Sequence, residues 1–178
     1  MPVTVRAGAC SCRAAGTVHK IRPFRPRLHR YSRGLMPVTY QIDTVNGIIR
    51  TKCMGDVTLD EVITHFEELA RDPDCPDRLD VLLDLSEETS IPKSRELQVV
   101  TCEIAQVRSR VQFGTCAIVA CRDALYGMLR VFEVFSEKLF REARVFRSLS
   151  EAEAWLAAQR DTDRRESRER SRTSGGPT

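Results

Sequence analysis

The sequence predicts an α/β domain over residues 36–159, a mixed sheet whose elements follow the order β-β-α-β-α-β-α-β-α. Three observations predict it. An Asn46-Gly47 pair stands between two short extended runs, the strongest local signal for an antiparallel hairpin. Two later runs, 81–85 and 115–121, are short and almost wholly apolar, as central strands covered on both faces are. Around them lie stretches whose apolar residues recur every three or four positions, the spacing of a helix with one buried side. Strands that alternate with such helices imply parallel βαβ units after the antiparallel opening.

The hairpin comprises 40–43 and 48–54, and Gly55 is placed to end it. Thr58-Leu59-Asp60-Glu61 then fits a capping box, a hydroxyl before the helix and a carboxylate three residues on that reaches back. Leu59, Val62, Ile63, Phe66, Leu69 and Ala70 fall on one stripe. Asp72-Pro73 ends that helix, because proline disfavours helical backbone in the residue before it. Strand 81–85 leads into a polar connection, 86–92. Leu97, Val100, Ile104, Val107 and Val111 mark a second helix over 94–110, followed by strand 115–121. Asp123 stands where it can cap a third helix running to 139, with Leu125, Met128, Leu129, Phe132, Phe135 and Leu139 on its core stripe. A short strand, 143–147, and a second capping box from Ser150 to Glu153 open the last helix, which carries Trp155 and Leu156.

The formal net charge of +3 averages three unlike regions. Residues 1–35 hold eight basic side chains and no acid, and 160–178 hold six Arg against four acids, leaving 14 basic and 21 acidic residues for 36–159. The folded part is therefore acidic and offers no nucleic-acid footprint; only the flanks have the charge for one. Both flanks have little to bury and are expected to be disordered, the first as a basic extension and 160–178 as a charged tail. Met1-Pro2-Val3-Thr4 recurs as Met36-Pro37-Val38-Thr39 just before the first strand, which suggests that Met36 is the functional start and 1–35 an upstream extension. No stretch approaches the roughly 18–20 apolar residues of a membrane span.

Seven cysteines in no framework spacing suit a reducing compartment, hence the cytoplasm. Cys53, Cys75 and Cys102 read as small buried or half-buried side chains, Cys116 and Cys121 as strand residues on opposite faces, and Cys10, Cys12 and His19 as a very weak metal signal. No metal and no cofactor is expected. His65, the one histidine inside the domain, sits at the edge of the first helix's stripe and reads as a partly exposed structural side chain. Asp43, Asp56, Asp60, Glu61 and Asp84 read as solvated or capping carboxylates. With no nucleophile–base pair and no phosphate-cradling glycine loop, nothing points to an enzyme.

Three passages carry a family resemblance: Met36-Pro37-Val38-Thr39-Tyr40 leading to the hairpin, Val81-Leu82-Leu83-Asp84-Leu85, and Tyr126-Gly127-Met128-Leu129-Arg130-Val131-Phe132-Glu133. With Val145-Phe146-Arg147 and the Trp155 helix after them, the succession resembles a STAS-like domain of the stand-alone bacterial branch akin to anti-sigma-factor antagonists. The resemblance implies a non-enzymatic regulatory module that binds a regulatory protein through the connection after the third strand and the flank of the second helix. It also implies a phospho-acceptor hydroxyl in that connection, where Ser86, Thr89 and Ser90 stand. The second Ser and the Gly of the family's loop are missing, and Glu87 and Glu88 would repel a phosphate. The alternative reading is a carrier or sensor of a small apolar or anionic ligand, since related folds include lipid-binding CRAL-TRIO domains.

The third helix carries the remaining candidates. Gly127, Val131 and Val134 repeat at i, i+4, i+7 on a second face, with Tyr126 and Arg130 beside them. A helix apolar on two sides buries both or presents one to a partner, which includes a second copy of the chain. Arg122 and Arg130 have the charge to hold an anionic ligand, against the plainer role of surface ion pairs.

Overall fold

A computed structural model of the protein describes residues 37–173. The expectations for the basic extension, for Met36 as a start and for Cys10, Cys12 and His19 lie outside those residues. The fold is α/β, as predicted: five strands, β1 (Val38–Asp43), β2 (Ile48–Gly55), β3 (Arg78–Glu88), β4 (Gln112–Val119) and β5 (Glu142–Phe146), with helices α1 (Leu59–Arg71), α2 (Ser94–Val107), α3 (Asp123–Ser136) and α4 (Leu149–Thr173).

The hairpin forms where Asn46-Gly47 predicts it. Gly47 holds φ +64, which costs glycine nothing, and the Asp43 carboxylate accepts from the Asn46 backbone N–H (3.0 Å) and side-chain amide (2.7 Å). β1 runs antiparallel to β2 and every later pair is parallel, in the spatial order β1-β2-β3-β4-β5. That order never reverses. Each βαβ crossover therefore steps the same way, and right-handed connections put α1, α2 and α3 on one side of the sheet. Leu69, Leu97, Ile104, Val107, Leu125, Leu129 and Phe132 pack there in one core with Ile49, Leu79 and Ile118. The other side is left to α4, whose Ala152, Trp155 and Leu156 meet Ile48, Leu82, Ala117, Val119 and Phe146 in a second, smaller core.

Several boundaries differ from the sequence reading. β3 does not stop at Leu85: Glu87 and Glu88 pair with Met54 and Gly55 of β2, past an irregularity in register. The connection is polar because Glu87 faces water in an ion pair with Lys52 (2.6 Å) while the buried Glu88 is matched by the Ser90 hydroxyl, and not because the strand has ended. Asp123 is the first residue of α3, which follows Arg122 with no side-chain cap. The cap of α4 is Ser148, whose Oγ accepts the Glu151 N–H (3.3 Å), two residues ahead of the predicted box. Cys121 lies beyond β4, and Cys102 is exposed.

The largest correction concerns the charged tail. Residues 160–173 continue α4 as helix. Apolarity could not reveal this, because the segment is fastened by charge. Arg160 reaches Asp80 (3.8 Å) and the Asn46 carbonyl at the hairpin turn, and Asp163 meets Arg78 (3.5 Å) and Arg141. Asp80 in turn accepts the Thr115 backbone N–H (2.8 Å), so the helix docks on the amino ends of the central strands.

Candidate functional site

The carboxyl ends of β2 to β5 gather the loops that carry Thr89, Ser90 and Arg122, at the edge where open α/β sheets bind their ligands. The loops there are knitted together. Thr89 donates its N–H to the Gly55 carbonyl (2.7 Å), while its own carbonyl accepts the Arg122 guanidinium. Ser90 Oγ lies 3.3 Å from the Val57 carbonyl and against the Glu88 carboxylate, to which its proton goes as the charged acceptor. Glu88 is only 5% exposed. Burial raises its pKa above the ordinary carboxylate value, opposed by the Ser90 hydroxyl and by the backbone N–H groups of Val57 and Ser90.

Three of the predicted residues thus come together, Thr89, Ser90 and Arg122. Ser86 does not join them: it sits half-buried within β3, its N–H held by Asp84 (3.0 Å). A phosphate on Ser90 would meet the Glu88 carboxylate head-on, whereas one on the exposed Thr89 would stand beside Arg122.

Tyr126 and Arg130 belong to a different part of the same edge. With Arg144, Val145, Phe146, Arg147 and Glu151 they line an open crevice of about 520 Å³. Its origin is topological. At β5 the chain arrives from α3 on one face of the sheet and leaves into α4 on the other, so the two helices diverge around the strand's end. The Arg147 guanidinium lies 3.9 Å from the Tyr126 ring centroid, pairs with Asp123 (2.8 Å) and donates to the Cys121 carbonyl (3.0 Å). Arg130 pairs with Glu133 (2.5 Å), whose other role is to accept the Val145 N–H in the edge strand. Arg144 stands 5.5 Å over the Phe146 ring and has no acidic partner among the described residues. Arg144 was not singled out in sequence, and Phe146 and Arg147 were read as part of the family likeness but not as site residues. Alternation puts Arg144 and Phe146 on the α4 side of the sheet, opposite Val145, so nothing in the sequence could have joined them to Arg130 on α3.

Val131 and Val134 are 39% and 62% exposed, and Phe135 beside them 36%. The three sit at i, i+3, i+4 on the outer side of α3, so the second apolar face is not core, and Phe135 leaves the predicted core stripe. Phe132 stays inside.

His65 is not partly exposed but 9% exposed, wedged between the Tyr40 and Phe66 rings with Nε2 3.4 Å from Thr51 Oγ1. Its Nδ1 has no partner. The Nε2–H tautomer costs least there, because it leaves a lone pair and not an unpaired N–H on the buried Nδ1. Burial lowers its pKa to about 4. Asp43 and the pair Thr58–Glu61 serve as turn and helix caps. Among the described residues no group of three His, Cys, Asp or Glu is placed to hold a metal, and no helix is long and apolar enough to cross a membrane.

No protein-family model matches this chain and no curated protein matches it, and the site is read from its own geometry.

Proposed function

We propose that the domain is a non-enzymatic, STAS-like regulatory module that works in the cytoplasm by docking a regulatory protein on the outer face of α3. One observation carries the reading: Val131, Val134 and Phe135 expose a contiguous apolar stripe on a helix whose opposite side is fully packed. Scattered exposed apolar residues need no explanation, but three on one face of one helix do. Arg122 and the loop holding Thr89 and Ser90 meet at the start of α3, the end of the helix away from the stripe. The five described cysteines are all free thiols, in keeping with a reducing compartment.

The test is co-purification of the full chain from its own host, comparing the native protein with Val134→Glu. The reading expects one protein to be retained in stoichiometric amount by the native chain and lost from the variant, while both melt alike. Equal retention by the variant would contradict it.

The apolar-carrier alternative finds no support in the cavities. Phe132 is core, and neither the crevice at β5 nor the groove between the hairpin turn and Arg160 of α4 is lined by Phe132, Phe135 or Val131. Its anionic form has a specific observation in its favour, the arginine-lined crevice at β5.

A further inference from the structure

We propose that the crevice at the end of β5 binds the phosphate group of a small molecule with a flat apolar body, held by Arg130, Arg144 and Arg147 against Tyr126 and Phe146. The proposal is independent of protein docking on α3, and either can fail alone.

The crevice sits where the chain changes sides of the sheet, the position at which α/β folds leave room beside their strand ends. Its walls are cationic and aromatic together. Three guanidiniums line one opening, and two rings, those of Tyr126 and Phe146, already carry guanidiniums near their faces. The acids nearby are accounted for. Glu133 is engaged by Arg130 and by the Val145 N–H, so it acts as a brace that fixes Arg130 on the lip. Asp123 is paired with Arg147 at a fully exposed position, where water screens it and an incoming dianion can displace it. Glu151 is the remaining acid of the lining, on the α4 wall. Arg144 is the cation with no acid of its own among the described residues, poised over Phe146 at the edge of the sheet.

Phosphate fits this arrangement better than carboxylate. One carboxylate satisfies a single guanidinium fork, whereas a phosphate dianion offers three acceptor oxygens to several. Tyr126 and Phe146 belong to the lining, Phe146 also packing on Trp155 (5.3 Å between ring centroids), and give it apolar surface that bare inorganic phosphate cannot use. An aryl or similarly flat phosphomonoester is therefore the class of ligand expected.

The test is an amide NMR titration of the full chain with phenyl phosphate, inorganic phosphate and benzoate in parallel. Phenyl phosphate is expected to give saturable shifts centred on Tyr126, Arg130, 144–147 and Glu151, and to bind more tightly than the other two. Arg144→Gln, which breaks no ion pair, should weaken it about tenfold, and Arg95→Gln on exposed α2 should leave it unchanged. Four results would overturn the proposal: no saturation; equal affinity for benzoate; an unaltered affinity in Arg144→Gln; or shifts centred instead on Arg160, Arg164 and Arg168 of α4.

Discussion

Acid should destabilise this protein through His65. Between the unfolded chain, where histidine titrates near 6.5, and the folded state, where burial holds it at about 4, the unfolded form takes up a proton first. A histidine with a lowered folded pKa loses stability as pH falls below its unfolded value, and the loss levels off below the folded one. The structure gives the reason: a second N–H, on the buried Nδ1, would have no acceptor. Between pH 7.5 and 4.5 the shift amounts to about 2.5 kcal/mol. The assay is urea unfolding of the native chain and His65→Leu across that range, followed by circular dichroism. Burial raises the Glu88 pKa and the Asn46 side chain lowers that of Asp43, but both groups titrate alike in the two proteins and cancel in the difference. The native protein should lose about 2.5 kcal/mol more than the variant. Parallel profiles would refute the buried, unpartnered imidazole.

Further predictions concern packing and charge. Leu156→Ala should cost about 2–5 kcal/mol in chemical denaturation, because Leu156 is 2% exposed in the core that α4 makes with the sheet. Ending the chain at 159 should lower stability by about 1–3 kcal/mol, since Asp80 then loses Arg160. Gly114→Ala should destabilise by about 1–3 kcal/mol, its new Cβ driving into the Asp80 carboxylate that holds the Thr115 N–H. Gly127→Ala, in open space on α3, should stabilise by about 0.5–1 kcal/mol in the same assay.

The parts of the fold legible in sequence are those written in local chemistry. Asn46-Gly47, the Thr58–Glu61 box and the apolar runs of β3 and β4 each state an element and its limits within a few residues. What escaped depends on distant partners. Ser86 to Glu88 read as loop, because polarity reports exposure, and nothing local says that β2 is there to pair with them. The helix through 160–173 rests on Asp80, Asn46, Arg78 and Arg141, all remote in sequence. His65 looked peripheral because its stripe position was judged by apolarity alone, while the Tyr40 and Phe66 rings enclose it. Of the candidate site, Tyr126 and Arg130 were found by their helix, but Arg144 and Arg147 join them only through the divergence of α3 and α4 around β5.

Docking on α3 is tested most directly inside the native host, by a photo-cross-linking residue placed at Val134 and, as a control, at exposed Glu67 on α1. The account predicts one discrete heterologous adduct at 134 that disappears when Val131→Glu is added, and none at 67. An adduct of twice the chain's own mass, or no adduct at 134 beyond that at 67, would contradict it.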